Sequence, residues 1–98
     1  MTFIQIVEFG TGRIDELNSF FDAWIVRTER QRIPHRAILQ ADRDAPNRYV
    51  LTVEFPSREQ GMLNSARPQT AEFAAFLSDI ADGPLGFRNF DVLRDDRL

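Results

Sequence analysis

The sequence predicts an α+β fold with the element order β-α-β-β-α-β. Three observations carry this expectation. Four short runs are rich in apolar and β-branched residues: Phe3–Phe9, Arg36–Ala41, Tyr49–Phe55 and Phe87–Leu93. Two longer stretches, Ile14–Thr28 and Pro68–Ala81, repeat apolar residues at helical spacing. Residues that favour turns sit at the joins. This order is the split βαβ, or ferredoxin-like, layout: one sheet with the helices on one face. The opposite face is left bare, and a bare face that carries apolar residues is expected to find a partner.

The first run, Phe3-Ile4-Gln5-Ile6-Val7-Glu8-Phe9, shows little polar alternation, as a central strand covered on both faces does. Gly10-Thr11-Gly12 breaks it, and Thr11 or Gly12 is placed to cap the next helix. Asp15 and Glu16 then fall in the first turn, where the helix dipole favours acidic groups. Ile14, Leu17, Phe21, Trp24, Ile25 and Thr28 form one stripe of that helix, with Asp15, Glu16, Ser19, Asp22 and Arg27 on the wet side.

The charged run Arg27–Arg36 ends the helix, and Pro34 favours an extended start to the next strand. Asp42-Arg43-Asp44-Ala45-Pro46-Asn47 reads as a hairpin loop. Tyr49, Leu51, Val53 and Phe55 then alternate with Arg48, Val50, Thr52 and Glu54. The first set is wholly apolar and is expected to carry the helices; the second is mixed and suits a partner or a pocket.

Ser57 is placed to cap a short helix that runs to about Asn64. Pro68 opens the second main helix, where its missing N–H costs nothing, and Phe73, Phe76, Leu77 and Ile80 form its stripe. Asp82-Gly83-Pro84 stops that helix, and Arg94–Arg97 reads as a solvated tail after the last strand.

The bulk numbers bound the function. Ninety-eight residues suit a single domain spanning 1–98. A chain of this length buries only about 60–70% of its unfolded surface, so a dimer contact would help it. There is no cysteine, which excludes disulfides, thiolate metal sites and a cysteine nucleophile. All twelve basic residues are arginine, which excludes lysine Schiff-base chemistry. The net charge of −3 does not suit a nucleic-acid partner. No apolar run is long enough for a membrane span and no basic, apolar leader is seen, so a cytoplasmic location is expected.

Few residues are equipped for chemistry. His35 is the only histidine and the natural base at neutral pH; its plainer role is a surface residue at a strand start. Without a second histidine or a cysteine, no metal site is expected. Trp24 reads first as a packing residue and second as a wall for a flat aromatic ligand; Tyr49, alternating with Leu51 and Val53, reads as a core residue with its hydroxyl at the rim. Asn64 either caps a helix end or points into a cavity and binds a ligand oxygen. Gln5, Glu54 and Arg88 lie on strands. Arg88 and Glu54 either pair across a dimer contact or line a cavity, with Arg88 on an anion and Glu54 taking a proton.

The layout, together with Asp44-Ala45-Pro46-Asn47, Phe55-Pro56-Ser57-Arg58-Glu59 and Asp82-Gly83-Pro84, resembles the dimeric α+β barrel superfamily. More narrowly it resembles the antibiotic biosynthesis monooxygenase-like domain. The resemblance spans nearly the whole chain and rests on structural motifs. It implies a homodimer in which two sheets close into a barrel with helices outside. Small ligands would sit inside the barrel or between sheet and helices.

Members of that superfamily include oxygenases that need no cofactor, quinol oxygenases and haem-degrading enzymes. The haem-degrading pattern of a first-strand Asn with a later Trp and His is missing: the first strand has Gln5, and Met62–Phe76 holds neither residue. The resemblance thus implies oxidation of a small aromatic or quinol-type metabolite with no cofactor. Asn64, Arg88, Trp24, Gln5 and Tyr49 would bind it, with His35 or Glu54 as base. The competing expectation is a non-catalytic dimer that binds a small apolar ligand or only assembles.

Overall fold

A computed structural model describes all residues, Met1–Leu98. The chain forms β1 (Phe3–Gly10), α1 (Ile14–Arg27), β2 (Arg36–Ala41), β3 (Arg48–Phe55), α2 (Arg58–Ser65), α3 (Pro68–Ile80) and β4 (Gly86–Asp91). The four strands make one sheet in the order β2-β3-β1-β4, and every neighbouring pair is antiparallel. This is the ferredoxin-like arrangement, with β1 central as its continuous apolar run implied. β2 follows the predicted bounds, while β4 ends at Asp91, two residues short of Leu93.

Helix starts differ in how they are satisfied. Ser57 caps α2 as expected: its Oγ accepts a 3.2 Å hydrogen bond from the Gln60 N–H. The start of α1 is different. Arg13 occupies the cap position without a side-chain cap bond. Thr11 instead lies two residues upstream and is fully buried. Its Oγ1 accepts from the Arg13 N–H at 2.9 Å and donates to the Ile80 carbonyl at 2.6 Å. Thr11 therefore ties the start of α1 to the end of α3, a long-range contact that local sequence does not reveal. The hairpin after β2 turns through Asn47, the one non-glycine residue with positive φ (61°), a conformation Asn tolerates well.

Register decides what each sheet face carries. Phe3, Gln5, Val7 and Phe9 stand opposite Phe55, Val53, Leu51 and Tyr49. These residues face the helices. The core gathers Val7, Phe9 and Leu51 with Leu17 of α1 and Leu77 and Ile80 of α3. Phe20 of α1 stacks on Phe76 of α3 with ring centroids 4.2 Å apart, although Phe20 lies outside the stripe read from the sequence. At the other end of the sheet Gly61 of α2 packs on the ring of Phe3.

The opposite face has no helix on it. It presents Ile38, Thr52, Ile6 and Arg88 in one cross-strand row, with Arg36, Glu54, Ile4 and Phe90 in the next. Thr52 Oγ1 donates to Gln40 Oε1 at 2.8 Å, and the Arg88 guanidinium lies 4.9 Å from the Phe90 ring centre. Ile4, Ile6, Ile38 and Val50 are only half-buried, and Phe90 is 38% exposed. The alternation in β3 therefore divides as predicted: its apolar set meets the helices and its mixed set is open.

Candidate functional site

Between the helix-bearing face of the sheet and the helices lies a cavity of about 480 Å³. That is within the range of about 300–1,000 Å³ typical of small-molecule pockets. Its position follows from packing. The tight core sits where Leu17, Leu77 and Ile80 meet Val7, Phe9 and Leu51. Toward the other end of α1 the sheet and helices offer small side chains, Ala37 and Ala74, and the polar Gln5, so the layers do not close.

The cavity floor is Gln5 and Val7 of β1, Leu51 and Val53 of β3, Ala37 of β2 and Phe87 of β4. The roof is aromatic. Trp24 and Phe21 of α1 stack with centroids 5.5 Å apart, and Phe73 of α3 meets Trp24 edge-on at 6.3 Å. The last turn of α1 is held around Trp24, whose carbonyl accepts from both Thr28 Oγ1 at 2.7 Å and the Thr28 N–H at 3.0 Å. The indole itself, packed between Phe21 and Phe73, offers a wall for a flat ligand.

Polar groups converge on the same space. Asn64, at the end of α2, lines it. The Asn64 carbonyl accepts from Thr70 Oγ1 at 2.5 Å and from the Arg67 N–H at 3.1 Å. Its side-chain amide caps no backbone group; Ser65 beside it uses its Oγ on the Gly61 carbonyl instead. The Asn64 amide is therefore free to bond a guest. Trp24 Nε1 and Gln69 Oε1 are buried without a hydrogen-bond partner. Both residues border a second void of about 10 Å³, about the space that one water fills.

His35 stands at the cavity mouth with Glu29, Arg32, Pro34 and Arg36. Its N–H donates to the Glu54 carbonyl at 3.0 Å, and its Nε2 lies 3.6 Å from Glu54 Oε2. The imidazole thus stands between a carboxylate rooted on the open face and the cavity entrance. Acid–base exchange with a guest is within its chemical means.

Of the residues singled out in the sequence, the fold brings Gln5, Trp24, His35 and Asn64 around one cavity. Glu54 reaches it only through His35. Arg88 is on the open face over Phe90, and Tyr49 stacks on Phe9 at 5.8 Å in the core. Phe21, Phe73 and Arg32 line the cavity without having been singled out as binding groups. Their signal was present: two aromatics on the facing stripes and an arginine in a charged run. No cluster of three or more His, Cys, Asp or Glu side chains is arranged to hold a metal ion. No helix is long and apolar enough to cross a membrane.

Comparison with solved structures places this architecture. The fold is similar to that of SnoaB, a cofactor-independent oxygenase from Streptomyces nogalater, with a TM-score of 0.76 and 20% identity over 96% of this chain and 95% of that one. Rv0793 from Mycobacterium tuberculosis aligns with a TM-score of 0.74 and 19% identity, covering 99% of this chain and 100% of its own. A structure described as an antibiotic biosynthesis monooxygenase aligns with a TM-score of 0.71 and 15% identity, covering 96% and 100%. The chain has the fold of the antibiotic biosynthesis monooxygenases. No family model matches the sequence, and no curated protein matches it.

Proposed function

We propose that the protein is a homodimeric, cofactor-independent oxygenase of a small aromatic, quinol-type metabolite. The observation that carries this reading is the 480 Å³ cavity, walled by Trp24 and Phe73 and edged by the unpaired amide of Asn64 and by His35. A pocket of that size with few convergent polar groups is what binding a flat phenolic ring requires. The fold shared with the cofactor-independent oxygenase SnoaB supports the oxidative chemistry.

The residues divide the work as follows. Trp24 and Phe73 hold the ring plane. Asn64 and Gln5 bond its oxygens. His35, backed by Glu54, removes a proton from the reacting ring carbon. The resulting anion passes its electron pair to O₂, a peroxide forms at that carbon, and His35 returns its proton to the outer peroxide oxygen. The base then takes the carbon's second proton as the O–O bond breaks. The carbon becomes a carbonyl, and the departing hydroxide recovers a proton and leaves as water. The apolar walls keep bulk water from the anion and hold it in one orientation.

The dimer forms through the open face, where Ile4, Ile6, Ile38, Val50 and Phe90 are otherwise left to water. Two sheets covering each other would close the barrel and bury the Glu54 side of the His35 pair.

The test uses 1,8-dihydroxyanthrone with purified protein in an oxygen electrode. The expected result is oxygen uptake above autoxidation, one O₂ per anthraquinone formed, and one ¹⁸O atom from ¹⁸O₂ in the product. Quenching of Trp24 fluorescence without added oxygen uptake would replace this reading with a non-catalytic ligand-binding module. Neither quenching nor uptake would overturn both.

A further inference from the structure

Two buried polar atoms have no hydrogen-bond partner within the chain: Trp24 Nε1, a donor, and Gln69 Oε1, an acceptor. Buried polar groups are nearly always bonded, so each of these needs a partner from outside the chain. The indole is packed between Phe21 and Phe73. Gln69 spends its Nε2 on Gln31 Oε1 at 3.4 Å, which leaves Oε1 as the free end of the amide. Trp24 and Gln69 line the same small space of about 10 Å³. The other residues around that space, Thr28, Gln31, Arg32, Asn64 and Arg67, are all polar. It therefore differs from the mostly apolar cavity in chemistry as well as in size. A space of that volume admits one oxygen atom with its hydrogens.

We propose that this space is a binding site for one water molecule, which accepts from the Trp24 Nε1–H and donates to Gln69 Oε1. A single water oxygen does both at once and bridges the two groups nearly as well as a direct bond. An ammonium ion only donates and a halide only accepts, so neither satisfies both atoms. The bridge joins α1 to the start of α3 over the cavity and makes Gln69 a positioning residue for the indole. It is independent of what the cavity takes, because its occupant comes from solvent and is present without a guest.

Trp24 is the only tryptophan, so ¹⁵N-labelled protein gives a single indole N–H resonance. With no aromatic compound added, that proton should show a nuclear Overhauser contact to a long-lived water. Gln69→Leu keeps much of the side-chain bulk and removes the acceptor. It should abolish the contact and lower the folding equilibrium constant about tenfold, as for a buried donor left unpaired. Trp24→Phe removes the donor together with some packing. Made on top of Gln69→Leu, it should cost about tenfold less than in the wild-type background, because the two atoms share one oxygen. A wild-type indole N–H without a water contact would overturn the proposal, as would a contact that persists in Gln69→Leu. Strictly additive effects of the two substitutions would overturn it as well. The wild-type spectrum is decisive by itself if a variant does not fold.

Discussion

The hydroxyl of Thr11 joins the carbonyl of Ile80 by a 2.6 Å hydrogen bond while accepting one from the Arg13 N–H, and all of its side chain is hidden from solvent. One oxygen thereby satisfies two backbone groups at helix ends from distant parts of the chain. Thr11→Val keeps the shape and removes both bonds, leaving a buried carbonyl without its donor. The expected loss is about 1–3 kcal/mol in urea denaturation. Thr11→Ser, which keeps the hydroxyl, should lose less. A valine variant as stable as wild type would contradict this account.

Gly61 presents two opposing effects of different size. Alanine in place of a mid-helix glycine gains about 1 kcal/mol from propensity. A Cβ there would stand 2.7 Å from Phe3 Cδ2, and Phe3 is only 3% exposed with its ring against Phe55. Relieving such an overlap in a packed site costs about 1–3 kcal/mol. Gly61→Ala is therefore expected to lower the thermal midpoint; a raised midpoint would show that Phe3 yields easily.

At the surface, Glu16 accepts from Arg13 Nε at 2.5 Å and from Nη2 at 2.7 Å. That hydrogen bonding, with the Arg13 charge adding to it and desolvation opposing, holds the Glu16 carboxyl below the usual carboxylate range. A depressed folded-state value means the stabilisation is complete above the ordinary glutamate range and is lost as pH falls through it toward the folded value. Both groups are exposed, so the effect is small. Glu16→Gln should therefore slightly lower stability at pH 7, by a difference that shrinks as pH falls below the ordinary glutamate range, read by urea midpoints across that range.

The open sheet face predicts assembly. Val50→Asp with Thr52→Asp places two carboxylates on that face, beside Glu8, Gln40, Ile6 and Ile38. Light scattering should show a dimer for the wild type and a monomer for the variant. A wild-type monomer in solution would refute the proposed interface.

For the cavity, His35→Gln is expected to lower oxygen uptake with 1,8-dihydroxyanthrone by about 10²–10⁴-fold, the usual range for a lost general base. Affinity measured by Trp24 quenching should hardly move. Asn64→Ala should instead weaken binding, by about tenfold for one hydrogen bond to a charged oxygen. The reverse pattern would exchange the roles of the two residues.

Much of the fold was legible in order of residues alone. Period-two alternation in Arg48–Phe55 separated a helix-bearing set from an open set, and the structure keeps that division. Ser57 announced the start of α2, and Pro68 with Asp82-Gly83-Pro84 bracketed α3. These are local signals, each arising from a backbone group or a face that a few neighbouring residues satisfy. Thr11 was misread as a local cap because its decisive partner, Ile80, lies far along the chain.

The candidate site divides on the same line. The sequence by itself determined which residues were chemically able to act: one histidine, one tryptophan, an amide at a helix end, and no cysteine or lysine. Tertiary structure decided which of them meet. Alternation says which residues of a strand share a face, but not which face a neighbouring strand shares. Only the pairing of Gln5 with Val53 and of Ile6 with Arg88 sends Gln5 to the cavity and Arg88 to the open side. Ala37 of the sheet and Ala74 of α3 both line the cavity, and only tertiary packing brings them to it.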